Sequence, residues 1–103
     1  MLAHSVFFSL YDRSEAAVQK MLGDCRSYLS SHPGIVYFAC GTPNPMLTRP
    51  VNDLDFDVAL HIVFDSQEAH DAYQDAPRHH EFIAASKENW AKVRVFDSLV
   101  GQS

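Results

Sequence analysis

From Phe56 to Phe64 the chain reads F-D-V-A-L-H-I-V-F, and its side chains alternate. Phe56, Val58, Leu60, Ile62 and Phe64 fall on one face; Asp57, Ala59, His61 and Val63 fall on the other. This is the pattern of a strand with one wholly apolar face and one mixed face. The first face requires a cover of helices, and the second requires a partner that tolerates some polarity.

The other elements arrange themselves around that strand. Leu2 to Leu10 is a first strand, with His4, Val6, Phe8 and Leu10 on one face and Ala3, Ser5, Phe7 and Ser9 on the other. Asp12-Arg13-Ser14-Glu15 supplies an N-cap, Asp12 or Ser14, for an amphipathic helix carrying Val18, Met21, Leu22, Cys25, Tyr28 and Leu29. Pro33 and Gly34 end it near Ser30 to His32. Ile35 to Cys40 is a short second strand closed by Gly41. The prolines at 43, 45 and 50 make residues 42–54 a long surface loop. After the Phe56–Phe64 strand, Asp65-Ser66-Gln67-Glu68 starts a helix through Ala69, Ala72 and Tyr73 that stops near Ala76. Pro77 opens another, on which His79, Phe82, Ile83, Ser86 and Trp90 share a face while His80 points away. Val93 to Ser98 is the last strand, with Val93, Val95 and Asp97 alternating against Arg94, Phe96 and Ser98.

The order β-α-β-β-α-α-β predicts an α+β fold with an antiparallel sheet, the split βαβ or ferredoxin-like arrangement. Its open sheet face would carry Phe7, Val63 and Phe96 with His61 and Arg94, and His61 is expected to pair with Asp57 or Arg94 across strands. So much exposed apolar surface predicts a second copy covering it, hence a homodimer.

At 103 residues the chain is expected to form one domain that buries roughly two thirds of its unfolded surface. A net charge of -5 without any Lys/Arg run excludes nucleic acid and anionic membrane as partners by electrostatics. No stretch approaches the roughly 18 apolar residues that span a bilayer. The N-terminus enters a strand pattern at once, so a soluble, cytoplasmic protein is expected. Cys25 and Cys40 lie outside any C-x-x-C pattern and read as buried free thiols. The neighbours His79 and His80 do not share a helix face, so no metal site is expected. Tyr28, Tyr37 and Trp90 read as core.

Three polar groups interrupt the apolar helix-facing side: His4, Tyr73 and His79. A buried polar group without a partner costs about 1 to 3 kcal/mol, so these either bond one another or face a cavity, and both options bring them together. Two imidazoles and a phenol on an apolar wall suit general acid-base work on a small, weakly polar molecule. The simpler reading is structural, with His79 satisfied by a loop carbonyl and His4 packed near the strand edge.

His4-Ser5-Val6-Phe7-Phe8, Gly41, Phe56-Asp57-Val58-Ala59-Leu60, then Tyr73 with Pro77, His79 and Phe82, and Trp90 with Val95-Phe96-Asp97, together resemble the stress-responsive dimeric α/β-barrel (Dabb) family. The resemblance runs from about His4 to Ser98 and implies that residues 1–103 are a single Dabb domain. It also implies a protomer whose sheet pairs with a second copy to form a dimeric α/β barrel, with a cavity between sheet and helices. In a plant polyketide cyclase of that family, a histidine and a tyrosine in the cavity promote aldol cyclisation without a cofactor. By position His79 matches the histidine, Tyr73 its tyrosine partner and His4 a pocket histidine. The chain departs from that enzyme at Ala76 and Val58, where it has pocket histidines, and at Cys25, near its phenol.

The resemblance and the apolar face together give an expected site. His79 and Tyr73 are its catalytic pair. Its substrate-binding wall comes from His4, Val6 and Phe8 on the first strand, Leu60 and Ile62 on the third, Phe82 and Trp90, and Val93 and Val95 on the last. The expected ligand is a small hydrophobic carbonyl or aromatic compound. Three activities are open: a cofactor-free lyase or cyclase, a non-catalytic stress-protective or structural dimer, and a cofactor-free monooxygenase.

Overall fold

The computed structural model describes residues 1–101. Four strands, β1 (Leu2–Leu10), β2 (Ile35–Gly41), β3 (Val58–Phe64) and β4 (Trp90–Leu99), form one antiparallel sheet in the order β2-β3-β1-β4. Three helices, α1 (Glu15–Leu29), α2 (Gln67–Asp75) and α3 (Pro77–Ser86), cover one face, and a 3₁₀ turn at Lys87–Asn89 leads into β4. The fold is ferredoxin-like, as the order of elements predicts. β1 sits between β3 and β4, so each βα unit returns to the sheet across an intervening strand.

The local signals act as their chemistry requires. Ser14 is the N-cap of α1 and accepts from the Ala17 amide at 3.2 Å, while the Asp12 carboxylate accepts from the Ser14 amide one step earlier. Ser66 caps α2 in the same way through the Ala69 amide. Ala76 is extended (φ −65°, ψ 141°), as the residue before a proline should be, and Pro77 opens α3. Gly34 holds φ +88°, and a Cβ there would collide with the Ala69 Cβ. Only glycine lets β2 start so close to α2.

Alternation along β1 and β3 delivers the core. Leu2, Val6, Phe8 and Leu10 pack with Val58, Leu60, Ile62 and Phe64 beneath Met21, Leu22, Cys25, Leu29, Tyr73 and Phe82. Cys25 is fully buried and Cys40 half-buried, both as free thiols; desolvation pushes the Cys25 thiol up to about 12.

Four boundaries and contacts differ from the sequence reading. β3 begins at Val58, because the Asp57 carboxylate turns to the Leu10 amide (2.8 Å) and Arg13 (2.9 Å) and leaves the alternation. β4 begins at Trp90, which therefore belongs to a strand; the 3₁₀ turn ends the helical phase three residues earlier. His61 meets the Ser5 hydroxyl at 3.1 Å instead of Asp57 or Arg94, since Ser5 lies directly opposite it in the β1–β3 register. Tyr37 is 57 % exposed, because an irregularity after Ile35 sets it opposite Val63 on the outer face.

That outer face carries an aromatic group. Phe7 packs edge-on against Phe56, Phe96 and His61, with ring centroids 5.0, 5.8 and 5.8 Å away. Phe56, expected on the helix-facing side with Val58, lies here instead because it precedes β3 and is outside its alternation. Residues 42–57 contain no strand or helix, and this loop is tied back to β4 by Arg94 to Asp53 (2.9 Å) and Lys92 to Asp55 (3.4 Å).

Candidate functional site

A cavity of about 160 Å³ lies between the sheet and the last two helices. β1 contributes His4, Val6 and Phe8; β3 contributes Leu60; β4 contributes Trp90, Val93 and Val95. The helices close it with Tyr73 and Gln74 from α2 and with His79, Phe82 and Ile83 from α3. The structure thus brings His4, Tyr73 and His79 to one wall. Ile62 does not reach it: on β3, next to Leu60 along the same face, it is sealed within the continuous core. Gln74 and Ile83 also line the cavity, in addition to the expected wall. Ile83 shares the inward phase of His79 and was legible as such, whereas the Gln74 amide carried no periodic signal.

The cavity is open on one side because β4 is an edge strand. Val93 and Val95 face the helices by register with Phe8 and Val6, yet remain 41 % and 50 % exposed. A larger groove, about 450 Å³, runs between α1 and the end of α3. Its walls mix polar side chains, among them Asp12, Lys20, Asp24 and Glu88, with small ones; Ser86 donates to the Asp24 carboxylate across it, and Lys20 pairs with Asp24 along α1. Ala16, Ala17, Met21 and Ala85 form its apolar part, and none of its lining residues buries a side-chain nitrogen or oxygen without a partner.

The polar groups of the cavity differ in their partners. His4 Nδ1 is 2.6 Å from the Asp97 carboxylate, its register partner on β4. Tyr73 is buried, and desolvation raises its phenol well above the usual tyrosine value, so it stays protonated. The Tyr73 and His79 rings meet edge-on, 4.8 Å between centroids, and Tyr73 also touches His32, Phe64 and His4. The nitrogens His79 Nδ1 and Trp90 Nε1 are buried with no hydrogen-bond partner. Burial, and then the neighbouring His80, His4, His32 and His70, push the His79 imidazole down to about 4, so it is neutral at pH 7.

Chemically, this is an apolar chamber with one unprotonated imidazole, one indole N–H without an acceptor and one protonated phenol. Trp90 Nε1 can only donate, and His79 can accept or donate depending on its tautomer. Such a set can hold a carbonyl oxygen and accept a proton beside it.

Solved structures give the fold wider context. A Dabb protein with a ferredoxin-like fold from Mesorhizobium loti superposes with a TM-score of 0.80 at 22 % identity, covering 98 % of this chain and 97 % of its own. A dimeric ferredoxin-like protein of unknown function from Thermobifida fusca gives 0.80 at 19 %, covering 96 % and 90 %. The hydroxynitrile lyase of Passiflora edulis gives 0.79 at 17 %, covering 99 % and 94 %. At these identities the likeness is one of fold alone. No curated protein matches the chain significantly. Residues 2–100 match the model of the stress responsive A/B barrel domain, Dabb, and with nearly the whole chain matched this protein belongs to that family.

Proposed function

We propose that two copies of the chain pair through their outer sheet faces into a barrel, and that each cavity takes a small hydrophobic carbonyl compound on which His79 does acid-base chemistry of the lyase or cyclase type. The observation that carries this reading is that two residues lining one apolar cavity, His79 and Trp90, each bury a ring nitrogen, Nδ1 and Nε1, without a hydrogen-bond partner. An unmade hydrogen bond of this kind costs about 1 to 3 kcal/mol, and a ligand with a carbonyl oxygen next to an acidic C–H or O–H would make both. His79 is the base. Its weak basicity, with a pKa near 4, suits a proton that is already acidic, such as that of a methylene between two carbonyls. Trp90 Nε1 holds the developing oxyanion, and the Tyr73 ring fixes the plane of His79 by edge-on packing. His4, Val6, Phe8, Leu60, Phe82, Val93 and Val95 supply the apolar wall and its polar corner. The Passiflora protein of the same fold is by its name a lyase acting on hydroxynitriles, which supports the lyase side of this reading.

A binding-only protein is the second reading, favoured by the aromatic filling of the chamber. Phe8, Phe82 and Trp90 lie 5.0 to 6.2 Å apart and leave little room for substrate motion. One experiment separates the two. Small 1,3-dicarbonyl and phenolic compounds are screened by thermal shift, and hits are placed in D₂O with the protein while C–H exchange is followed by NMR. Exchange accelerated by wild type and abolished in His79→Gln, with binding retained, supports catalysis. Binding without accelerated exchange supports the second reading, and the absence of any hit removes both.

A further inference from the structure

We infer that His4, His70 and Asp97 form a site for a divalent transition-metal ion at the β1–β4 edge of the sheet, beside the cavity. The three residues come from β1, α2 and β4, and one ligand atom of each lies within 4.8 Å of the others. The His4 and His70 rings stand edge-on with centroids 5.1 Å apart, and Asp97 reaches His4 Nδ1 at 2.6 Å. His4 is buried, and the His70 side chain is only 15 % exposed, whereas that of Asp97 is 43 % exposed. A surface cleft of about 290 Å³, which includes His70, Asp97 and Gln67, opens over the group and gives an ion a route in from solvent.

A hydrogen bond tying β1 to β4 accounts for His4 and Asp97 as a pair. It does not account for a second imidazole set against His4 with its own carboxylate behind it. His70 Nδ1 lies 3.1 Å from the Asp71 carboxylate. An N–H donated there leaves the lone pair on Nε2, which is the arrangement that orients metal-bound histidines. Two imidazoles and one carboxylate select a borderline ion such as Zn²⁺, Co²⁺ or Fe²⁺ over Mg²⁺ or Ca²⁺, which take oxygen ligands. On binding, the ion takes the place of the proton shared by His4 and Asp97. Bonds of about 2.0 to 2.2 Å to each atom require that contact to widen to about 3 Å, and the exposed Asp97 side chain on an edge strand is free to make the adjustment. Water from the cleft completes the coordination. The three residues are dispersed along the chain, and this is why no spacing motif announces them.

The test uses tag-free, chelator-stripped protein titrated with Co²⁺, read by its visible d–d absorption, with Zn²⁺ binding followed in parallel by calorimetry and Mg²⁺ as the unbound comparison. The expected result is saturable binding of one Co²⁺ per protomer, weakened by about tenfold or more in each of His70→Ala and Asp97→Asn, and by about tenfold in Asp71→Asn. His80→Ala, on an exposed histidine away from the cluster, leaves it unchanged. The inference is overturned if no saturable binding occurs, if binding is indifferent to both His70→Ala and Asp97→Asn, or if it is lost in His80→Ala. Circular dichroism melts establish that each variant folds. Because the readout is metal absorption, it is independent of any turnover in the cavity.

Discussion

The rings of Tyr73 and His79 meet edge-on with centroids 4.8 Å apart, while Nδ1 of His79 has no hydrogen-bond partner. At that nitrogen the two residues are joined by ring packing. The phenol oxygen is therefore less important to the pair than the ring that carries it. Tyr73→Phe is expected to change unfolding free energy by less than about 1 kcal/mol, whereas Tyr73→Ala should cost about 3 to 5 kcal/mol through the cavity it leaves. Urea unfolding compares them; equal losses would mean that the hydroxyl is the important contact.

His79 also sets a pH dependence. Its pKa falls from the ordinary 6.5 to about 4 in the folded protein, so between those values the unfolded chain binds the extra proton. Stability from this group is whole above about 6.5 and is lost as pH falls toward about 4. After allowance for the partial exposure of the ring, the loss is on the order of 1 kcal/mol. Urea midpoints at pH 7 and pH 5 should differ less for His79→Gln than for wild type, and an unchanged difference would count against the burial argument.

Two glycines should respond to alanine in opposite directions. Gly34→Ala forces φ +88° on a residue with a side chain and drives its Cβ into that of Ala69, for a loss of about 2 to 4 kcal/mol. Gly23 lies inside α1 with nothing within 4 Å of its missing Cβ, so Gly23→Ala should gain roughly 0.5 to 1 kcal/mol. Thermal melts of both variants check the sign.

The outer sheet face gives a prediction about assembly. Phe96 is 55 % exposed there, next to Phe7, and burying it against a second copy is the reason proposed for pairing. Phe96→Glu should shift the protein from dimer to monomer in light scattering at micromolar concentration. A wild type that remains monomeric across the concentration range would defeat the pairing itself.

The elements of the fold were legible because their signals are local. The period of two from Val58 to Phe64, the serine caps at Ser14 and Ser66, and the proline at position 77 each act within a few residues. The inward phase of His79 and Phe82 was legible for the same reason. What stayed hidden depends on register and irregularity. Nothing near His4 says that Asp97 lies opposite it, because pairing of β1 with β4 is decided by the whole sheet. Trp90 continues the helical phase of His79 in sequence, but the chain leaves that phase in a 3₁₀ turn marked by no proline or glycine. Tyr37 reaches the outer face through an irregularity that its neighbours do not announce.

The central position of β1 bears on how the protein is made. Leu2, at the start of β1, pairs with Leu99, at the end of β4, and with Phe64 on its other side. Closing a loop between strands so far apart in sequence is slow, and the sheet is incomplete until β4 has joined β1. The chamber depends on the same closure: its walls come from β1, β3, α2, α3 and β4, so it is whole only when the two ends of the sheet have met.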